Sequence, residues 1–142
     1  DGTPIRGNGV VIGIVDDGLE STHGDLSANV LNALGRDFND NDFDPSPGTG
    51  NNHGTAVAGV AAARQNNSTG ISGVASGASL AGIRLTAAAP TDTLIAQALA
   101  HANGQIAIYN NSWVTVQDFQ TLPSTSAAGR PLRAAAAWEA SW

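Results

Sequence analysis

Residues 10–18 have the sequence VVIGIVDDG, and this stretch decides the fold. Its apolar part, residues 10–15, is typical of a parallel β-strand that is buried on both faces. The run ends at Asp16, Asp17 and Gly18. Because ligands and reacting groups of open α/β sheets gather at the carboxyl ends of the strands, we expect a functional site here. Considered alone, Asp16 is more simply explained as a capping residue of a tight turn.

The rest of the chain alternates between helical and extended patterns. The clearest helix is predicted at residues 92–102, with Leu94, Ile95, Ala98 and Leu99 on one face. The other predicted elements are a helix of small residues at 53–63, strands at 79–85 and 106–109, a long loop at 37–52 and a last helix at 131–142. This alternation predicts an α/β fold with a mainly parallel sheet.

The composition excludes several classes of function. The chain has 142 residues, enough for one domain with a hydrophobic core. Its net charge is −6 and it has no basic stripe, so nucleic acid is not expected as a partner. It contains no cysteine, which excludes disulfides and thiol chemistry, and no apolar run long enough to indicate a membrane partner. Because methionine is also absent, we expect a processed or excised piece of a longer polypeptide.

His53 opens the second informative stretch, HGTAVAG at residues 53–59. Histidine is the natural general base near neutral pH, and the start of a helix faces water and ligands. Alone, His53 would more simply be a helix-start residue without a catalytic task. Together with Asp16, however, it gives two members of a Ser-His-Asp triad in the chain order Asp, His, Ser.

The two stretches together resemble the subtilisin-like serine proteases. Residues 9–26 are similar to the catalytic-Asp segment of that family, residues 53–59 to its catalytic-His segment, and residues 110–113 to the strand whose backbone pairs with bound substrate. The resemblance implies a three-layer α/β fold with helices on both faces of the sheet. It also implies Asp16 and His53 as catalytic residues, peptide or protein substrates, and a secreted, extracellular or periplasmic location.

A finer resemblance is to the kexin-like branch, the proprotein convertases. Asp17 stands where ordinary subtilisins have Ser or Thr, and the acidic residues 37–45 resemble a loop of that branch. The resemblance implies cleavage after basic residues, with Asp17 facing a basic substrate side chain. It further implies substrate contacts from Ser112, Trp113 and Asp118. For Asp17, a solvated acid in a turn is an equally open interpretation.

Two calcium sites are implied by the same resemblance, and calcium prefers carboxylate, amide and carbonyl oxygens. In the first, Asp25 and Asn67 supply side-chain oxygens, and Gln65, Thr69 and Ile71 supply backbone carbonyls. The second comprises Asp37, Asp42 and Asp44. With Asp40 these make four carboxylates in residues 37–44, which would repel one another without a cation. The alternative for this loop is a solvated acidic surface.

Residues 1–142 contain no convincing motif for a nucleophilic serine. Ser126 superficially resembles the family's Gly-Thr-Ser motif, but Ser124 replaces its glycine and Pro131 comes two positions late. We therefore expect residues 1–142 to be the N-terminal portion of a catalytic domain, ending before the oxyanion Asn and the Ser. The rest of that domain is then an obligate partner.

Two other classes of function remain open at this point. The chain could be a truncated or inactive relative that acts as a calcium- or peptide-binding module. It could also be a nucleotide-binding α/β domain, although Gly7 and Gly9 precede the first strand, whereas a phosphate-binding glycine motif follows it.

Overall fold

A computed structural model of the chain describes residues 5–114. These residues form four strands and two α-helices around one sheet. In chain order the elements are β1 (Val11–Asp16), β2 (Arg36–Asp37), α1 (His53–Ala62), β3 (Ser79–Arg84), α2 (Asp92–Ala100) and β4 (Ile108–Asn110), with short 3₁₀ turns at Ser27–Asn29 and Asn32–Leu34. The strand order is β2-β3-β1-β4, and every pair of neighbouring strands is parallel. The predicted α/β class with a parallel sheet is confirmed.

Alternating side chains of β1 build two separate cores, one on each face of the sheet. Ile12 and Ile14 pack in a cluster with Ala58 and Ala62 of α1. Val15 packs in the other cluster, which includes Ile95 and Ala98 of α2 and Ala81 and Ile83 of β3. The period of two along a strand therefore puts α1 and α2 on opposite faces, as the three-layer expectation requires.

The position of β1 in the sheet explains why its carboxyl end is open for a site. After β1 the chain passes through β2 and α1 to β3, which lies on one side of β1. It then passes through α2 to β4, which lies on the other side of β1. Strand order thus reverses next to β1, and such a reversal leaves a crevice beyond the carboxyl ends of the strands.

The elements differ from the sequence prediction in two places. β2 lies at the start of the predicted loop at 37–52, and its two residues pair with Ile83 and Arg84 of β3. The sequence did not predict this strand, because two charged residues are too short a stretch to show a strand pattern. β4 begins at Ile108, whereas the predicted strand began at Ile106, because the Ile106 N–H donates to the Ala102 carbonyl in a turn after α2. The other boundaries shift by one or two residues, as helix and strand ends commonly do.

Thr91 caps α2, with its hydroxyl accepting a hydrogen bond from the Leu94 N–H at 3.3 Å. None of the helices in residues 5–114 combines the length and the apolar character that crossing a bilayer requires.

Candidate active site

Asp16 and His53 meet at the carboxyl end of β1. Nδ1 of His53 lies 2.8 Å from Oδ1 of Asp16, although the two residues are 37 positions apart. The Asp16 side chain is 2% exposed, whereas the His53 side chain is 56% exposed. The same Asp16 oxygen accepts the Asp17 backbone N–H at 2.8 Å. A buried carboxylate therefore binds the Nδ1 edge of an imidazole ring that is otherwise largely open to solvent.

This contact determines the protonation of the histidine. An ionised carboxylate only accepts hydrogen bonds, so Nδ1 of His53 carries the proton and Nε2 is left as the basic nitrogen. The hydrogen bond to Asp16 raises the pKa of His53 above its usual 6.5, and the charges of Asp16 and Asp17 act in the same direction. The result is an oriented base with increased proton affinity.

Gly54 allows the start of α1 to approach the end of β1 this closely. A Cβ atom at residue 54 would lie 2.3 Å from the Gly18 carbonyl oxygen and 2.8 Å from the Asp16 Cβ. Such distances are well inside van der Waals contact, and both atoms belong to β1 or the turn after it. Any side chain at residue 54 would therefore separate His53 from Asp16.

Asp17 makes a contact that the sequence analysis did not predict. Its Oδ1 accepts the Gly54 N–H at 2.7 Å, and its Oδ2 accepts the His53 N–H at 3.2 Å. Both donors are the first N–H groups of α1, whose own N-cap residue, Asn52, makes no side-chain capping bond. Asn is itself a residue type that commonly caps helices, so the sequence at Asn52 gave no signal of a distant cap.

Trp113 and Ser112 lie just beyond β4, next to the end of β1. The Trp113 indole N–H donates to the Val15 carbonyl at 2.8 Å, which ties this segment to the residue before Asp16. The exposed Ser112 hydroxyl donates to Oδ1 of Asn110 at 2.7 Å. The structure thus places residues 110–113 beside the end of β1. Asp118, Ser126 and the predicted helix at 131–142 lie outside the described residues.

Two residues of the first expected calcium site, the buried Asp25 and Asn67, are in contact. Oδ1 of Asp25 accepts the Asn67 side-chain amide at 2.7 Å, and its Oδ2 accepts the Ile71 N–H at 2.8 Å. Oδ1 of Asn67 accepts the Thr69 N–H at 3.2 Å. The Asn67 hydrogen bond, followed by that of Ile71, lowers the pKa of Asp25 and keeps it ionised. The oxygen of the Gln65 side chain is directed elsewhere and accepts the Ser76 hydroxyl.

The second expected calcium site is arranged differently from the expectation. The buried Asp37 pairs with Arg84, whose Nη1 lies 2.5 Å from Oδ2 of Asp37 and 2.6 Å from Oδ2 of Asp40. The other Asp37 oxygen accepts the Asn39 and Asp40 N–H groups. The hydrogen bonds to Asp37 and Asp40 raise the pKa of Arg84 above its usual value. An arginine from β3, which the sequence analysis did not connect to this loop, supplies the positive charge.

Asp42 and Asp44 act locally in the same loop. Oδ1 of Asp42 accepts the Asp44 N–H, and Oδ1 of Asp44 accepts the Ser46 N–H. The interaction with Ser46 lowers the pKa of Asp44. Within residues 5–114, no three His, Asp or Glu side chains converge where they could hold one metal ion. Asp37, Asp42 and Asp44 therefore do not form a three-carboxylate site in this structure.

Comparison with known proteins identifies a common family. Residues 7–140 match the family model described as the subtilase family of peptidases. The chain is 43% identical over 120 residues to a PC3-like endoprotease, variant B, of Hydra vulgaris, covering 82% of the chain and 17% of that protein. It is 42% identical over 122 residues to proprotein convertase subtilisin/kexin type 4 of Mus musculus, covering 83% of the chain and 19% of that protein.

A solved structure gives the same result for the fold. The serine protease of Aeromonas sobria, crystallised with the chaperone ORF2, matches with a TM-score of 0.70 and 32% identity, over 80% of this chain and 20% of that one. The chain spans less than a fifth of the length of the two curated relatives.

Proposed function

The chain belongs to the subtilase family, and from this premise we propose that residues 1–142 are the N-terminal portion of the catalytic domain of a kexin-like serine endopeptidase. In this proposal Asp16 and His53 are two catalytic residues, and the nucleophilic Ser comes from the rest of the domain. The protein acts outside the cytoplasm, which family membership alone supports.

The observation that carries the proposal is the 2.8 Å contact between the buried Asp16 and the exposed His53. Nε2 of His53 accepts the proton of the serine hydroxyl as the serine oxygen bonds to the peptide carbonyl carbon. Asp16 keeps the imidazole in the required tautomer and stabilises the imidazolium. His53 then donates that proton to the leaving amine, and the acyl-enzyme is hydrolysed by water through the same base.

Substrate binding is assigned to the segment that follows β4. Ser112 and Trp113 lie beside the end of β1, so an extended peptide paired with their backbone would run past His53. Asp118 is the proposed acid for a basic substrate side chain. The net charge of −6 and the names of the convertase relatives support a preference for cleavage after basic residues.

The test is peptide hydrolysis by the complete protein that carries this chain. Asp16→Asn should lower kcat about 10⁴-fold, because the wrong tautomer of His53 is then favoured. His53→Ala should cost at least as much. Asp92→Asn, a matched change at the exposed start of α2, should leave the rate unchanged. Native rates in His53→Ala would overturn the proposal, and absence of hydrolysis in the unmodified protein would favour a binding module instead.

Calcium is proposed at the Asp25 loop only. The contact of the ionised Asp25 with Asn67 supports this proposal, because carboxylate and amide oxygens are ligands that calcium prefers. The loop at 37–45 does not fit, because Arg84 already neutralises Asp37 and Asp40. When bound, the ion would stabilise this loop and take no part in proton transfer.

We expect the melting temperature of the complete protein to rise with calcium and to fall in excess chelator. Asp25→Asn should abolish this response, whereas Asp44→Asn should leave it intact. An unchanged melting transition in chelator would contradict the proposed site. A calcium response that requires Asp44 and not Asp25 would move the site to the acidic loop.

A further inference from the structure

The first turn of α1 depends on a residue outside the helix. The leading N–H groups of any helix have no partner within it and need an external acceptor. In α1 the N-cap residue Asn52 offers none, and the first turn contains no acidic residue. Asp17, reached across 36 and 37 positions of sequence, accepts both the His53 and the Gly54 N–H. One carboxylate in the turn after β1 therefore caps the helix that carries the proposed catalytic base.

The capped residue is the same residue whose ring touches Asp16. His53 is bonded twice to consecutive residues of β1 and its turn, through its backbone N–H to Asp17 and through Nδ1 to Asp16. Asp16 also accepts the Asp17 N–H, so the two carboxylates are fixed relative to each other. Two such points determine both where His53 stands and how its ring is turned. A single ring contact would leave the helix end able to move.

The family resemblance implied a different task for Asp17, that of facing a basic substrate side chain. In the structure both carboxylate oxygens are already occupied by backbone donors. An ionised carboxylate at the amino end of a helix is also stabilised there by the helix dipole. These contacts favour a task inside the protein.

We propose, on the basis of the function proposed above, that Asp17 is a positioning residue that holds His53 in register with Asp16 by capping α1 with both carboxylate oxygens. The role acts through His53 and needs no contact with substrate. The consecutive acids Asp16 and Asp17 then act together on His53: Asp16 orients its ring and Asp17 orients its backbone.

Two variants of the complete protein separate the two tasks. Asp17→Asn keeps a capping oxygen of the same reach but loses the charge, whereas Asp17→Ala loses both. Since displacement of a catalytic group by about 1 Å can cost about 100-fold, positioning predicts that kcat falls about 10- to 100-fold in Asp17→Ala with little change in KM. The loss should be equal for peptides with basic and with neutral residues before the cleaved bond. Asp17→Asn keeps one of the two accepting oxygens, so its kcat should lie between that of Asp17→Ala and that of the unmodified protein.

Substrate recognition predicts the opposite pattern. Both variants would then raise KM for basic peptides alike, leave neutral peptides unaffected and lower the ratio of kcat/KM between the two. That pattern would overturn the proposal. If Asp17→Ala does not fold, Asp17→Asn still decides by this ratio, which positioning leaves unchanged. Asp92→Ala, which removes the first-turn acid of α2, is the matched control and should leave every parameter unchanged.

Amide hydrogen exchange separates this inference from the proposed function. Positioning predicts faster exchange at the His53 and Gly54 amides in Asp17→Ala and a smaller increase in Asp17→Asn, whether or not the protein hydrolyses peptides. Unchanged exchange at both amides in Asp17→Ala would contradict the capping role. Failure of the unmodified protein to cleave any peptide, with this exchange pattern present, would count against the proposed function alone.

Discussion

At the scale of single residues, the site depends on a contrast in burial. Asp16 is enclosed at the end of β1, so its charge is screened little and acts strongly on the one ring it touches. His53 is more than half exposed, so its second nitrogen remains available to a reacting group. The pairing could be predicted from sequence because each residue ends or begins a regular element in the order that the family uses. The cap from Asp17 and the pairing of Asp37 with Arg84 could not, because they join residues 36 or more positions apart that no local pattern connects.

The pH dependence follows from the raised pKa of His53. The imidazolium–Asp16 pair stabilises the folded protein fully below pH 6.5, and this contribution is lost as the pH rises through the folded pKa. Only the neutral ring can accept a proton, so kcat/KM should fall as the pH drops below that raised pKa. Asp16→Asn should move the His53 pKa, and with it this acid limb, toward lower pH.

The check is an NMR titration of the His53 ring proton, assigned with His53→Gln, in the unmodified protein and in Asp16→Asn. An identical pKa in the two proteins would contradict the assigned contact.

At the scale of elements, the contact between α1 and β1 determines whether the two catalytic groups meet. α1 was predicted correctly because its small residues are those that a close helix–sheet contact requires. β2 was not predicted, because it depends on pairing with β3 rather than on its own sequence pattern. The start of β4 was predicted two residues early, because Ile106 belongs to the turn after α2. Gly54 and Gly59 lie in the same helix, but only Gly54 faces the β1 turn at close range.

Gly54→Ala and Gly59→Ala should therefore have opposite effects. A Cβ at residue 59 meets only the Ile71 side chain at 3.9 Å, so this change should stabilise the domain by about 0.5–1 kcal/mol through helix propensity. A Cβ at residue 54 overlaps backbone, so that change should cost about 1–3 kcal/mol and lower kcat. Melting temperatures and kcat of both variants provide the measurement, and a Gly54→Ala protein as stable and active as Gly59→Ala would be inconsistent with the close approach.

At the scale of the whole molecule, family membership and sheet topology agree. The family predicted from two short stretches is confirmed by the match over residues 7–140, and the parallel sheet with helices on both faces carries the site where such sheets usually do. Within residues 5–114, β4 is bonded to β1 on one side only, and Ile108 of β4 is 52% exposed. Val60, Ile71 and Val74 are also exposed on or near α1.

We expect residues 1–142, expressed alone, to self-associate or to be partly unfolded, because an open strand edge and exposed apolar side chains favour pairing with other chains. Sedimentation velocity over a range of concentrations, compared with the complete protein, measures this. A monomer with a sharp two-state melt would show that the chain completes its own core.

The most direct test of the central claim is labelling of the complete protein with a fluorophosphonate, read by intact mass and by peptide mapping. The serine oxygen bonds to phosphorus and fluoride leaves only where a base such as His53 activates the hydroxyl. We predict one label per molecule, on a serine outside residues 1–142, and no label in His53→Ala. Absence of label from the unmodified protein, or a label on Ser126, would contradict the account.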